Sequence, residues 1–174
     1  MGKKVIKFSL NPTDIETAIR ELESYKIEFQ KKVDTYRQRV AKEMAAIASL
    51  NFGSAVMDDR IRGGPRKPNV TVKVDERGSI SVVVADGEDA VWCEFGAGVY
   101  HNGAVGSSPN PYGKGLGFTI GTYGYGFGSR KAWGYYDEGG ELVITRGTPA
   151  SMPMYNAVQE VTKRAIEISR EVFG

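Results

Sequence analysis

Cys93 and His101 are the one cysteine and one histidine of the chain, the two residue types that a thiol nucleophile and its general base would require. The thiol lies in Ala90-Val91-Trp92-Cys93-Glu94-Phe95, a run that reads as a strand, where a buried, inert cysteine is the ordinary outcome. On a strand Glu94 points away from Cys93, so the carboxylate does not complete a site with the thiol. One cysteine closes no internal disulfide, and one histidine builds no His/Cys metal centre within a single chain.

Gly113-Lys114-Gly115 contains the Gly-Lys step of a phosphate loop, but Ser108 and Gly115 stand where Walker A needs glycine and a hydroxyl residue. Gly121-Thr122-Tyr123-Gly124-Tyr125-Gly126 likewise has no strand running into it and no helix leaving it, so no helix amino terminus is available for a pyrophosphate. No cofactor is expected. Paired carboxylates at Asp58-Asp59, Asp75-Glu76, Glu88-Asp89 and Asp137-Glu138 all lie in turn-like sequence and read as solvated turns. A carboxylate-based hydrolase, with the glycine-rich segment as its lid, is the enzymatic alternative; it needs two carboxyls converging on one cleft. Arg60, Arg62, Arg66 and Lys67 form the basic end of a loop at 51–69. They are the contacts a nucleic-acid-binding module would offer to phosphate, although no aromatic accompanies them to stack on bases.

The 23 basic and 21 acidic side chains leave a formal charge of +2, so bulk electrostatics call for neither a nucleic-acid nor a membrane partner. No apolar run approaches the ~20 residues that span a bilayer, and the amino terminus does not read as a signal peptide; the expected compartment is the cytoplasm in which the chain is made. With 174 residues, 41% of them hydrophobic, one domain with a real core is expected over 1–174.

The elements that must position these residues begin with Lys4 to Leu10, where Ile6, Phe8 and Leu10 alternate as on a half-buried strand. Asn11-Pro12-Thr13-Asp14 then starts a helix, capped either by Asn11 with Pro12 in the first turn or by Thr13 with Glu16. Ile15, Ile19, Leu22, Phe29, Val33, Tyr36, Val40 and Ile47 recur at four-three spacing, which predicts an amphipathic helix ending near Leu50, about 55 Å long. Two readings of its stripe stay open: part of it meets a neighbouring subunit, or all of it packs on the chain's own sheet.

Val70–Val74 and Ser79–Val84 are β-branched runs around Asp75-Glu76-Arg77-Gly78, a hairpin with glycine available for positive φ. With Ala90–Phe95 as third strand they make a meander. A second hairpin is expected from Ala132–Tyr136 and Glu141–Thr145, and a last helix, capped by Ser151, carries Met154, Val158, Val161, Ala165, Ile168 and Val172. The expected class is α+β: an antiparallel sheet, meander plus hairpin, packed against a long amino-terminal and a carboxy-terminal helix.

Residues 96 to 140 hold fourteen of the 22 glycines, interleaved with Tyr100, Tyr112, Phe118, Tyr123, Tyr125, Phe127, Trp133, Tyr135 and Tyr136. Glycine loses much backbone entropy on ordering and aromatics are costly to leave in water, so the loop at 96–131 reads as a flexible contact segment that orders against a partner.

Two landmarks carry a family resemblance over Asn11 to Phe173. Glu94-Phe95-Gly96-Ala97-Gly98 resembles the Glu-Phe-Gly-Thr-Gly signature of the head-tail joining and tail-completion proteins of long-tailed double-stranded-DNA bacteriophages, with Ala97 in place of threonine. Gly147-Thr148-Pro149-Ala150-Ser151-Met152-Pro153-Met154 is similar to that family's Pro-Ala-x-Pro-Phe turn before its last helix, with Met152 before the second proline and Met154 where an aromatic is common. Arg62-Gly63-Gly64-Pro65-Arg66-Lys67-Pro68 departs from the family's usual segment, and the insert from Tyr100 to Gly128 is long. The resemblance implies a non-enzymatic virion protein of the neck or upper tail, assembled in the bacterial cytoplasm. It would form a homo-oligomeric ring and contact the adjoining head-connector and tail proteins, and it could also touch packaged DNA. Candidate assembly contacts are Glu94, Phe95, Gly96, Gly98, Tyr123, Tyr125, Phe127 and Trp133, and Gly96→Val is expected to disrupt assembly.

Overall fold

The computed structural model describes residues 5–7, 9–97, 108–113, 115–116 and 132–174. The element order is α1 (Pro12–Ser54), β1 (Thr71–Arg77), β2 (Ile80–Asp86), α2 (Ala90–Phe95), β3 (Trp133–Tyr136), β4 (Leu142–Thr145) and α3 (Pro153–Phe173). The class is α+β as expected: α1 and α3 pack together, beside two small antiparallel two-stranded sheets.

Asn11 is the cap of α1. Its side chain accepts from the Asp14 amide at 2.9 Å, with Pro12 in the first turn, so this reading prevails over Thr13 and Glu16. The helix runs four residues past Leu50, to Ser54, for 43 residues and a length of about 65 Å. Alanines let α3 approach it closely: Ala48 and Ala157 are both fully buried and share a cluster with Ile47. Phe173, at the end of α3, places its ring against Phe29 and Tyr36. Beyond that point α1 continues toward its amino terminus without α3 beside it, and Ile15, Ile19 and Leu22 are exposed. The whole stripe therefore does not pack on the chain's own sheet; its later part, from Val33 onward, is covered, and Phe29 meets Phe173 at the edge of that cover.

β1 and β2 form a hairpin closed by Gly78 and Ser79, with Gly78 at φ 58, the geometry in which a first central glycine fits the strand twist. The strands extend further into the expected turn than the sequence reading placed them, so Asp75 and Glu76 lie in β1. β3 and β4 pair as expected around Asp137 to Gly140, where the Asp137 carboxylate accepts from the Gly139 and Glu141 amides, both at 3.0 Å.

Three expectations are corrected. Among the described residues from 5 to 10 there is no strand; instead Ser9 turns back to donate to the Asp14 carboxylate at the start of α1. Ala90–Phe95 is a helix, α2, so the meander is a two-stranded hairpin followed by a helical turn. Ala90, Cys93 and Glu94 are its buried residues, at the three-four spacing of a helix face. On α3 the buried set is Pro153, Ala157, Val161 and Ile168, rotating the stripe so that Val158 is exposed. A main core cluster, Phe52, Ala55, Met57, Ala90 and Cys93, joins the end of α1 to α2. Among the described residues, no helix is long and apolar enough to cross a membrane.

Candidate functional site

The two motifs far apart in sequence meet in space. α3 starts without a side-chain cap of its own: Met152 precedes it in the left-handed region (φ 52, ψ 47), and Ser151 does not cap. The amides of Ser151 and Met152 donate to the Cys93 carbonyl instead, at 2.9 and 3.3 Å. The orphan amides of the first turn are taken by Glu94: one carboxylate oxygen accepts from Met154 at 2.8 Å and the other from Tyr155 at 3.0 Å. An ionised carboxylate at a helix amino terminus satisfies both the unpaired donors and the positive end of the helix dipole. Glu94 and Cys93 thus both face inward, correcting the strand reading that set them on opposite sides.

Gly96 ends α2 with its amide on the Trp92 carbonyl and takes φ 80, ψ 159, a region essentially confined to glycine. A side chain there would also meet Ala150, whose Cβ and amide nitrogen lie 3.1 Å from the position of a Cβ. Ala97 and Thr148 then exchange two backbone hydrogen bonds, at 2.9 and 2.7 Å. The segment after α2 and the turn before α3 therefore zip together, with Gly96 against Ala150 and Glu94 capping α3.

Part of the glycine-rich segment belongs to the same junction. Asn110 is 2% exposed and donates to Glu94 at 2.8 Å; the Ser108 hydroxyl donates to the Phe95 carbonyl at 2.5 Å; and Tyr112 packs edge-on against Tyr155 of α3. Residues 108–113 are thus fixed on their own chain. Of the other candidate contacts, Gly98, Tyr123, Tyr125 and Phe127 lie outside the described residues, as does His101. Trp133 opens β3 opposite Thr145.

Beside the junction a cleft of about 160 Å³ opens between Met57, Asp58, Arg66, Ala97, Tyr135 and Thr148. The basic loop is pinned along it by carboxylates. Arg60 donates to Asp58 at 2.7 Å, and the Tyr135 hydroxyl donates to the same oxygen at 2.7 Å. Arg66 makes a two-pronged pair with Asp89, at 2.8 and 2.9 Å, and the Asn69 amide adds a third donor at 2.8 Å. Lys67 reaches the Gly53 and Ala55 carbonyls at the end of α1. Arg62 is exposed. Asp58 and Asp89 are buried, which corrects the reading of their pairs as solvated turns.

The electrostatics follow from this packing. Burial pushes the Asp58 carboxyl up, but hydrogen bonds from Tyr135 and Arg60 outweigh it and hold the group below the ordinary aspartate range. Asp89 behaves the same way, with burial opposed and outweighed by Arg66 and the Asn69 amide. Cys93 is fully buried and its thiol is pushed up to about 11, chiefly by burial, so it is neutral and unreactive as expected of a core cysteine. Asp58 holds φ 53, a strained value for a side-chain-bearing residue, and its amide points at the Thr148 hydroxyl at 3.3 Å.

Sequence reading singled out Glu94, Phe95 and Gly96 in one landmark and Thr148 and Ala150 in the other, but it did not pair the two, and it did not single out Asn110. The Pro109-Asn110-Pro111 punctuation is the one local signal that could have marked Asn110 as a fixed turn. Among the described residues, no group of three His, Cys, Asp or Glu side chains is placed to hold a metal ion. Compared with protein-family models, with curated proteins and with solved structures, the chain matches none of them.

Proposed function

We propose that this chain is a structural protein of a bacteriophage particle, placed at the neck or upper tail, where copies assemble into a ring that joins the DNA-filled head to the tail. The observation that carries the reading is the union of its two family-like motifs. Glu94-Phe95-Gly96 and Pro149-Ala150-Ser151-Met152-Pro153 form one junction, with Glu94 bonded to the amide of Met154 and Gly96 lying against Ala150. A motif pair that builds one junction is a more specific resemblance than two short glycine-dependent strings. The junction fixes where the chain leaves α2 toward the glycine-aromatic segment, and so where that segment presents its contacts. The exposed apolar turns of α1, Ile15, Ile19 and Leu22, supply a second surface suited to neighbours in a ring or to the adjoining connector and tail proteins.

The test is to purify particles from the phage encoding the chain, quantify the chain by mass spectrometry against the portal, and locate it by electron microscopy. A fixed copy number with density at the neck or upper tail is expected; absence from particles would defeat the reading.

A further inference from the structure

We infer that the outer edge of β2 is a self-association surface, on which β2 of a second copy of this chain pairs antiparallel about a two-fold axis at Val83. This goes beyond the particle reading and does not depend on it.

The hairpin's register decides which backbone groups of β2 face outward. A two-residue turn makes Arg77 and Ile80 a hydrogen-bonded pair, and bonded pairs then alternate along the ladder, at Asp75 with Val82 and Lys73 with Val84. The N–H and C=O groups of Ser81, Val83 and Ala85 are therefore directed away from β1. Among the described residues no backbone group from outside the hairpin bonds to residues 80 to 86. Such an edge recruits an extended strand unless charge, proline or a bulge blocks it. β1 carries Lys73, Asp75 and Arg77, whereas β2 has no charged residue and no proline from Ile80 to Ala85.

The pattern on the two faces selects a second β2 as the partner. Val72 packs toward the core of α1 and Ala85 packs on the adjoining cluster, so the opposite face carries Lys73, Asp75 and Arg77 on β1 and Ile80, Val82 and Val84 on β2. Ile80 is 60% exposed there. Pairing about Val83 sets Val82 of one copy beside Val84 of the other, twice, as apolar cross-strand neighbours. On the flanks of these central rows lie Asp75 of one copy and Lys73 of the other. At each end, Asp86 of one copy adjoins Ile80 of the other, one strand from Arg77. The result is an apolar band with a charged rim of alternating sign. Pairing β2 with β1 of another copy would instead set valines beside Lys73 and Asp75.

The helices permit this arrangement. α1 covers both strands of its hairpin, a width of about 9.6 Å at 4.8 Å per strand, so the two α1 helices would lie side by side at ordinary packing distance.

The test is sedimentation of the whole chain at about 100 μM, a concentration suited to the weak association expected of an interface this small. A species of twice the 19.0 kDa chain mass is expected. Val83→Pro removes an outward amide without touching the internal ladder; it should abolish the dimer while circular dichroism keeps the native spectrum, with a lower melting transition because Val83 is half-buried on the face that carries Val72 and Ala85. Val82→Lys and Val84→Glu face Asp75 and Lys73 within their own hairpin, so both should fold. Each alone should weaken the dimer about tenfold, and the double variant, which sets the introduced lysine of one copy beside the introduced glutamate of the other, should restore it. A monomer at that concentration, a dimer indifferent to Val83→Pro, or failure of the double variant to restore association would overturn the inference. A ring is closed by a heterologous contact and this one is isologous, so the two readings fail separately: a wild-type chain found in particles but monomeric in solution would defeat this inference alone, and a Val83-dependent dimer of a chain absent from particles would defeat the particle reading alone.

Discussion

The Glu94 carboxylate accepts a hydrogen bond from the backbone amide of Met154 at 2.8 Å across sixty residues of sequence. Through this contact and its twin to Tyr155, a helix of six residues caps a helix of twenty-one. Removing the carboxylate leaves two half-buried amides and the buried Asn110 side chain without this acceptor. Glu94→Ala is expected to cost about 2–3 kcal/mol, and Glu94→Gln less. Urea denaturation should show the shift, with faster amide exchange at Met154 and Tyr155; an unchanged midpoint for Glu94→Ala would contradict the capping role.

Gly96 meets two demands at once, a glycine-only backbone conformation and contact with Ala150. Gly96→Ala should therefore destabilise by about 1–3 kcal/mol, and Gly96→Val by more. The loss of assembly expected for Gly96→Val thus acts first through the fold. Gly53→Ala is the contrast: it lies in the last turn of α1 with nothing within 4 Å, and it should be neutral or gain up to about 0.5 kcal/mol. Thermal melts of the three variants separate these outcomes, and equal shifts for Gly96→Ala and Gly53→Ala would refute the assignment.

Asp58 and Asp89 both have carboxyls held below their unfolded value, the partners' hydrogen bonds outweighing burial. A depressed folded pKa gives stability that is fully present above the ordinary aspartate value of 3.8 and is lost as pH falls through the lower folded value. The protein should therefore hold a flat melting temperature above about pH 5 and lose it steeply below about pH 4. Asp89→Asn should lower stability at neutral pH and flatten the acid limb. Arg66→Ala, which strips Asp89 of its two-pronged partner, should cost about 2–3 kcal/mol at pH 7. An acid limb unchanged in Asp89→Asn would show that this pair does not govern it.

Cys93 is fully buried, and its thiol is pushed up to about 11. At pH 8 a maleimide should label native protein far more slowly than protein unfolded in guanidinium, because labelling must wait for opening of the core. Rapid labelling of the native chain would place Cys93 in a reactive setting at odds with this packing.

What could be read in the sequence was local. Asn11-Pro12 marked the start of α1 because cap and first-turn proline are adjacent, and the Gly78 turn marked the first hairpin. Ala90–Phe95 misled because six residues rich in valine, tryptophan and phenylalanine fit a strand as readily as one and a half helical turns; length could not arbitrate. Ser151 misled for a different reason: it lies one residue before Met152, which takes the cap position, and the first-turn amides of Met154 and Tyr155 go to Glu94, a cap that arrives from another element. The pairing of Arg66 with Asp89 likewise depends on tertiary placement, which no spacing within 51–69 announces. Glu94 and Gly96 were visible as a motif, but their physical task became legible only with Met154 and Ala150 beside them.

If the chain joins heads to tails as proposed, deleting its gene from a phage that carries it should leave DNA-filled heads and tails separate in electron micrographs of the lysate, joined again when the wild-type chain is supplied from a plasmid. Infectious, fully joined particles made without the chain would contradict this role.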